Sequence, residues 1–268
     1  MMNKENFMNW DNPGTALITG ASSGIGAEFS RQLASQGFDV ILVARRKERL
    51  DSLSKKLQEK FSINAEVLVA DLSNITDTEK VISKVLELDN LDVLLNNAGF
   101  GVMGTFLEID LKKHIDMINI HFTSPVMLCH AFIPGMKKRK RGAIINISSI
   151  SAINKDSYNL AIMYTATKCA ITIFTEKLKE KLRRTGIYVQ ALCPGYTYSE
   201  FHDSETMKGF DRDWIPKEEW MTAEEVVTLS LKNVKSKDVI FIPGELNLNN
   251  AQEYRKKLVP KYQNCKIL

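Results

Sequence analysis

Tyr164 and Lys168 stand four residues apart within Ser157 to Arg184, a long stretch that reads as helix. Residues one turn apart share a helix face. The Lys168 ammonium can therefore stabilise a Tyr164 phenolate. A free phenol titrates near pH ~10, too high for acid–base work near neutrality. A second string, Thr19-Gly20-Ala21-Ser22-Ser23-Gly24-Ile25-Gly26, joins an apolar run to an amphipathic stretch. Its first glycine permits a tight turn. The later ones let the backbone approach a pyrophosphate and let the helix pack on a sheet. The free N–H groups and positive end of that helix would face the anion.

The second apolar run ends in Val43-Ala44-Arg45-Arg46. An acidic residue here would hold the ribose 2′-hydroxyl of NAD. Two arginines stand there instead, and guanidinium groups suit a 2′-phosphate by charge and bidentate geometry. This favours NADP(H) over NAD(H), with Arg45 as the expected contact. Arg46 either shares that role or simply opens the next helix.

These residues need a scaffold. Strands are expected at Thr15–Thr19, Val40–Val43, Val67–Ala70, Leu91–Leu95, Ala143–Ile147, Tyr188–Leu192 and Val239–Ile242. Helices are expected at Ala27–Gly37, Lys47–Lys60, Asp77–Leu88, Leu111 to about Lys137, Ser157–Arg184 and Glu224–Leu231. Near-continuous rather than alternating apolar runs imply strands buried on both faces, as in a parallel sheet between helices. The expected fold is α/β, a single Rossmann-type doubly wound domain with a seven-stranded parallel sheet. The domain should span 14–246, between a polar tail at 1–13 and a C-terminal helical extension and tail at 247–268. Residues from about 196 to 221 break the rhythm with Phe201, His202, Phe210, Trp214 and Trp220. An irregular aromatic insertion after a strand suits a lid over a substrate.

The chain of 268 residues is 44% hydrophobic and 25% charged, a globular composition that excludes a disordered or low-complexity protein. A net charge of +4 gives no case for nucleic acid. The basic run Lys137-Lys138-Arg139-Lys140-Arg141 reads as a solvated turn after a helix. Four scattered cysteines and four histidines carry no metal-site spacing, and they suit reduced thiols in a cytoplasmic setting. No leader or membrane span is expected. Cys265-Lys266-Ile267-Leu268 departs from a prenylation box at Lys266. His121 and His130 have no partner cluster and read as structural or surface residues.

Four motifs in order, Thr19–Gly26, Asn96-Asn97-Ala98-Gly99, Tyr164-Thr165-Ala166-Thr167-Lys168 and Pro194-Gly195 with Thr197, resemble those of the classical short-chain dehydrogenase/reductase family. The likeness runs from about Thr15 to about Ile242. It implies an NADP(H)-dependent oxidoreductase interconverting a carbonyl and an alcohol, with Tyr164 as acid/base and Lys168 behind it. It adds Asp71 and Leu72 at adenine, Asn97, Ala98 and Gly99 along the cofactor, and Pro194, Gly195 and Thr197 beside the nicotinamide. With Gly20, Ser22, Ser23, Gly24, Ile25, Gly26, Arg45, Tyr164 and Lys168, these form the expected cofactor set.

The resemblance also implies a serine that donates to the substrate oxygen. Alignment on the strand selects Ser149, with a two-residue insertion in the loop Ile153 to Leu160. Alignment on the tyrosine selects Ser151. Strands resist insertion and loops accept it, which favours Ser149. Asn119 matches the helix asparagine of a proton relay behind the lysine. A homodimer or homotetramer through the two long helices is implied, as is a small apolar carbonyl or alcohol substrate. Met103 and the aromatic insertion would line its pocket. The alternative is a non-catalytic NADP(H)-binding regulatory protein of the same fold.

Overall fold

The computed structural model describes residues 10–153 and 162–263. The first nine residues, the loop Ile153 to Leu160 expected to hold an insertion (all but Ile153) and the Cys265–Leu268 tail lie outside the described residues. Strands and helices alternate as β1 (Thr15–Thr19), α1 (Gly24–Ser35), β2 (Asp39–Ala44), α2 (Lys47–Phe61), β3 (Ala65–Val69), α3 (Ile75–Val85) and β4 (Leu91–Asn96). The second half continues with α4 (Leu111–Ile118), α5 (Ser124–Arg139), β5 (Gly142–Ile147), α6 (Ile162–Lys181) and β6 (Ile187–Leu192). Short strands β7 (Thr197–Tyr198) and β8 (Met221–Thr222) precede α7 (Ala223–Asn233), β9 (Ile240–Phe241) and α8 (Glu245–Gln263).

Seven strands form one parallel sheet in the order β3-β2-β1-β4-β5-β6-β9. The expected doubly wound α/β architecture is present. β1, β4 and β5 are buried along their whole length, as apolar runs between two helical layers require. One core face gathers Phe29, Leu33, Leu50 and Leu57 from α1 and α2. The other gathers Leu94, Leu128, Phe132 and Met136 around α5. The chain leaves β1 in one direction and β4 in the other, so their carboxyl ends open a crevice between them.

Element ends differ from the periodicity reading in instructive ways. α1 begins at Gly24, inside the glycine turn, rather than at Ala27. The single long helix expected from Leu111 is three pieces: between α4 and α5, residues Asn119–Thr123 form one π-helical turn. The aromatic insertion is bracketed by β7 pairing with β8, with 3₁₀ turns at Glu205–Met207, Arg212–Trp214 and Lys217–Glu219 between them. α8 starts two residues before the expected Asn247 and runs through Pro260 to Gln263. The basic run is not wholly solvated. Arg139 donates to the Leu91 carbonyl, and Arg141 pairs with buried Asp92 at 2.5 Å and lies over the Trp10 ring at 4.5 Å. Among the described residues no helix is long and apolar enough to cross a membrane.

Candidate active site

The crevice at the strand ends holds a cleft of about 360 Å³. Its floor is the glycine turn. Gly20 and Gly24 take φ of 67° and 54°, which favours glycine. Gly26 serves differently from the others. It lies inside α1, not on the cleft, and a Cβ there would come within 2.3 Å of the Gly20 carbonyl oxygen and 2.5 Å of Asn97 Nδ2. The Asn97 side chain explains that crowding: its Nδ2 donates to the carbonyls of Thr19 and Gly20 at 2.9 and 3.2 Å. Thr19 Oγ1 accepts from the backbone N–H of Asn97 and Ala98. The end of β4 is thus stitched to the end of β1.

Ser23 precedes α1 and makes no side-chain cap for it. Its hydroxyl accepts instead from Arg46 Nη2 at 2.9 Å, and Ser22 Oγ accepts from the same nitrogen at 2.8 Å. The first N–H groups of α1 are therefore left for an anion, and a guanidinium stands beside it. Arg45, the expected phosphate contact, also borders the cleft: its Nη1 lies 3.7 Å from Asp71 Oδ2 and its side chain is 69% exposed. Asp71, Leu72, Ala98, Gly99, Pro194, Gly195 and Thr197 all border the cleft. Gly195 is packed against Asn247 of α8, whose Oδ1 would lie 2.4 Å from an added Cβ.

The catalytic candidates come from β5 and α6. Ser149 follows β5, borders the cleft beside Tyr164 and acts on its phenol to lower the pKa. Its Oγ also accepts from the Ser151 N–H at 3.1 Å. Ser151 borders the same cleft, and its buried hydroxyl has no hydrogen-bond partner among the described residues. Ser148 faces away, its hydroxyl donating to the Lys168 carbonyl at 2.9 Å. Lys168 Nζ donates to the Ile147 carbonyl at 3.0 Å and lies 5.6 Å from the Tyr164 ring centroid.

Burial pushes the Tyr164 phenol up to about 12, with the Ser149 hydrogen bond opposing it. Burial pulls the Lys168 ammonium down to about 8, with Cys193 opposing it. At neutral pH the phenol is therefore a proton donor, and the lysine keeps its charge.

Asn119 is not brought to this group. Its Nδ2 donates to the Ser73 carbonyl at 3.0 Å, and it does not border the cleft. His121, two residues on, packs against Tyr164. It is 2% exposed and lies edge-on to the Tyr164 ring at 5.5 Å. Its Nε2 accepts from the Phe100 N–H at 3.2 Å, so its Nδ1 carries the proton and donates to Thr167 Oγ1 at 2.9 Å. Thr167 in turn donates to the Met163 or Tyr164 carbonyl. Burial, and secondarily the Lys168 charge, hold the imidazole well below its ordinary pKa. His121 is a neutral strut between the loop after β4 and the helix that carries Tyr164 and Lys168. Its only mark in the sequence is a polar residue on an otherwise apolar helix face.

The far wall is aromatic. Phe201 lies 5.9 Å from the Tyr164 ring, and Tyr196, His202, Phe210 and Trp220 stack behind it. The expected Met103 donates its N–H to the Thr206 carbonyl but does not border the cleft.

The profile of the family described as "short chain dehydrogenase" matches residues 14–208. The chain is 35% identical over 185 residues to the very-long-chain 3-oxoacyl-CoA reductase of Anas platyrhynchos, covering 68% of this chain. That match spans 59% of the duck protein, less than two thirds of its length. With the 17-beta-hydroxysteroid dehydrogenase type 3 of Danio rerio it shares 33% over 231 residues, covering 84% of this chain and 71% of the other. A solved short-chain dehydrogenase from Sphingobium yanoikuyae, in complex with NADPH, superposes with a TM-score of 0.80. It is 30% identical, and the match covers 96% of this chain and 98% of that one.

Proposed function

The chain belongs to the short-chain dehydrogenase family, and from that premise we propose that it is an NADP(H)-dependent oxidoreductase interconverting an apolar ketone and its alcohol. The observation that carries this reading is the convergence of the Ser149, Tyr164 and Lys168 side chains on the cleft whose floor is the glycine turn.

The nicotinamide, when bound, supplies or takes up the hydride. The residues of this chain do the rest. Ser22, Ser23 and the start of α1 receive the pyrophosphate side, and Arg46, with Arg45 beside it, receives the 2′-phosphate. Ser149 and Tyr164 hold the substrate oxygen, and Tyr164 donates its proton to that oxygen during reduction. Lys168 stabilises the phenolate left behind. His121 fixes the distance between the loop at Gly99 and Phe100 and helix α6. The wall of Tyr196, Phe201 and His202 excludes water and suits a bulky apolar carbonyl compound, and the segment from 196 to 221 acts as its lid. Copies of the chain associate through α5 and α6, where Val126, Ile133, Phe174 and Leu178 line an apolar groove.

Titration with NADPH and with NADH, followed by nicotinamide fluorescence, tests the cofactor reading. NADPH binds at least about tenfold more tightly if Arg46 makes a charge-assisted contact with the 2′-phosphate. Equal affinities remove Arg46 from that role, and binding of neither removes the dinucleotide site.

A further inference from the structure

Glu200 follows the short strand β7 and reaches across the mouth of the cleft to the start of α2. Its Oε2 accepts from Arg46 Nη1 at 2.9 Å, and Arg49 Nη1 donates to the same carboxylate. Arg46 also donates to both serine hydroxyls of the glycine turn. Two guanidiniums and two hydroxyls thus converge beside the cleft, and a carboxylate from another part of the chain sits among them. The side chains of Arg46, Arg49 and Glu200 are 44%, 47% and 49% exposed.

We propose that Glu200 is a placeholder for the 2′-phosphate of NADP(H): the phosphate displaces its carboxylate from Arg46 and Arg49 and so frees the segment carrying Phe201 and His202 from the glycine turn. This rests on the NADP(H) reading above.

Arg46 Nη1 is occupied by Glu200 while Nη2 is occupied by Ser22 and Ser23. A phosphate that lies on the serines and takes the Arg46 fork bidentately needs the edge that Glu200 holds. A carboxylate carries one negative charge, and a phosphomonoester carries nearly two with three acceptor oxygens. Arginine forks favour the latter. The carboxylate is held by half-exposed ion pairs, which are weak in water, so the exchange runs toward the phosphate. The two anions compete for the same guanidinium edge, and their like charges repel. The arginines hold the Glu200 carboxyl below its ordinary pKa, so the placeholder is anionic across the neutral range.

The consequence reaches the substrate side. Phe201 is the next residue after Glu200 and lies 5.9 Å from the Tyr164 ring. A cofactor without the 2′-phosphate leaves Glu200 in place and the aromatic wall tethered. Glu200 is then a specificity-determining residue that makes the lid respond to the phosphate itself.

The test uses 2′,5′-ADP and 5′-AMP, which differ by the phosphate and carry no nicotinamide. Calorimetric affinities are measured for the whole chain and for Glu200→Gln and Arg46→Ala. The expected result is that Glu200→Gln binds 2′,5′-ADP roughly three- to tenfold more tightly, the scale set by two half-exposed ion pairs. Binding of 5′-AMP stays unchanged. In the unaltered protein, 2′,5′-ADP should raise amide exchange over residues 199–213 and 5′-AMP should not. If Glu200→Gln matches the unaltered protein, or exchange in that segment does not respond, the placeholder role is overturned. If 2′,5′-ADP binds the unaltered protein and Glu200→Gln no more tightly than 5′-AMP does, the NADP(H) reading itself fails. A loss of 2′,5′-ADP binding in Arg46→Ala beside an unchanged Glu200→Gln overturns the placeholder alone.

Discussion

Tyr164→Phe lowers kcat for carbonyl reduction by about 10²- to 10⁴-fold, the range that a positioned general acid supplies, and leaves the affinity for NADPH nearly unchanged. The substitution removes one oxygen and keeps the ring. The ring contacts with His121 at 5.5 Å, Phe201 at 5.9 Å and Lys168 at 5.6 Å do not need the hydroxyl. The fold around α6 therefore survives. Ser149 loses its phenol partner and still reaches the substrate oxygen, so binding of the ketone weakens little. What disappears is a buried phenol beside the cleft, a group that burial keeps protonated at neutral pH. Steady-state kinetics beside a binding isotherm separates the two effects. A variant that keeps substantial turnover removes Tyr164 from the acid role.

Lys168→Met gives the second large effect, a fall in kcat of about 10²-fold or more together with weaker NADPH binding. Methionine has similar length and no charge, and volume-conserving swaps at buried sites are well tolerated. Lys168 is 5% exposed, and its Nζ donates to the Ile147 carbonyl at 3.0 Å. The variant loses the cation that stabilises a developing phenolate and the donor that can hold the nicotinamide ribose. A pH profile distinguishes this from simple damage. Burial lowers the Lys168 pKa to about 8, so the ammonium is present below that value and lost above it. Reduction by the unaltered enzyme should decline as pH rises through about 8, and the residual rate of Lys168→Met should show no such step. A parallel decline in both would assign the step to another group.

Much of this was legible because the chemistry is local in sequence. The glycine turn, the Asn96–Gly99 string and the Tyr164/Lys168 spacing each lie at a strand end or on the following helix, and the apolar runs fix the strands. What the string does not show is how neighbouring residues are turned. Arg45 and Arg46 are adjacent, and consecutive side chains at a strand end point to opposite sides. Arg46 immediately precedes α2, and that placement turns it onto Ser22 and Ser23. Nothing in the string Arg45-Arg46 states where the strand stops. The same holds for Asn119 and His121. A π-helical turn at Asn119–Thr123 changes which residues share a face, and no local pattern marks it. Glu200 was invisible for another reason: its partners lie 154 and 151 residues away, and no local pattern marks the pairing.

The most direct measurement offers the protein NADPH carrying deuterium at C4 of the nicotinamide, with a panel of bulky apolar ketones, and looks for the label in the product. NADPH should be consumed, and deuterium should appear on the carbinol carbon of the alcohol formed from at least one ketone, in one configuration. Tight NADPH binding with no label transferred to any ketone would contradict the proposed function. The intact cleft would then belong to a binding protein rather than an enzyme.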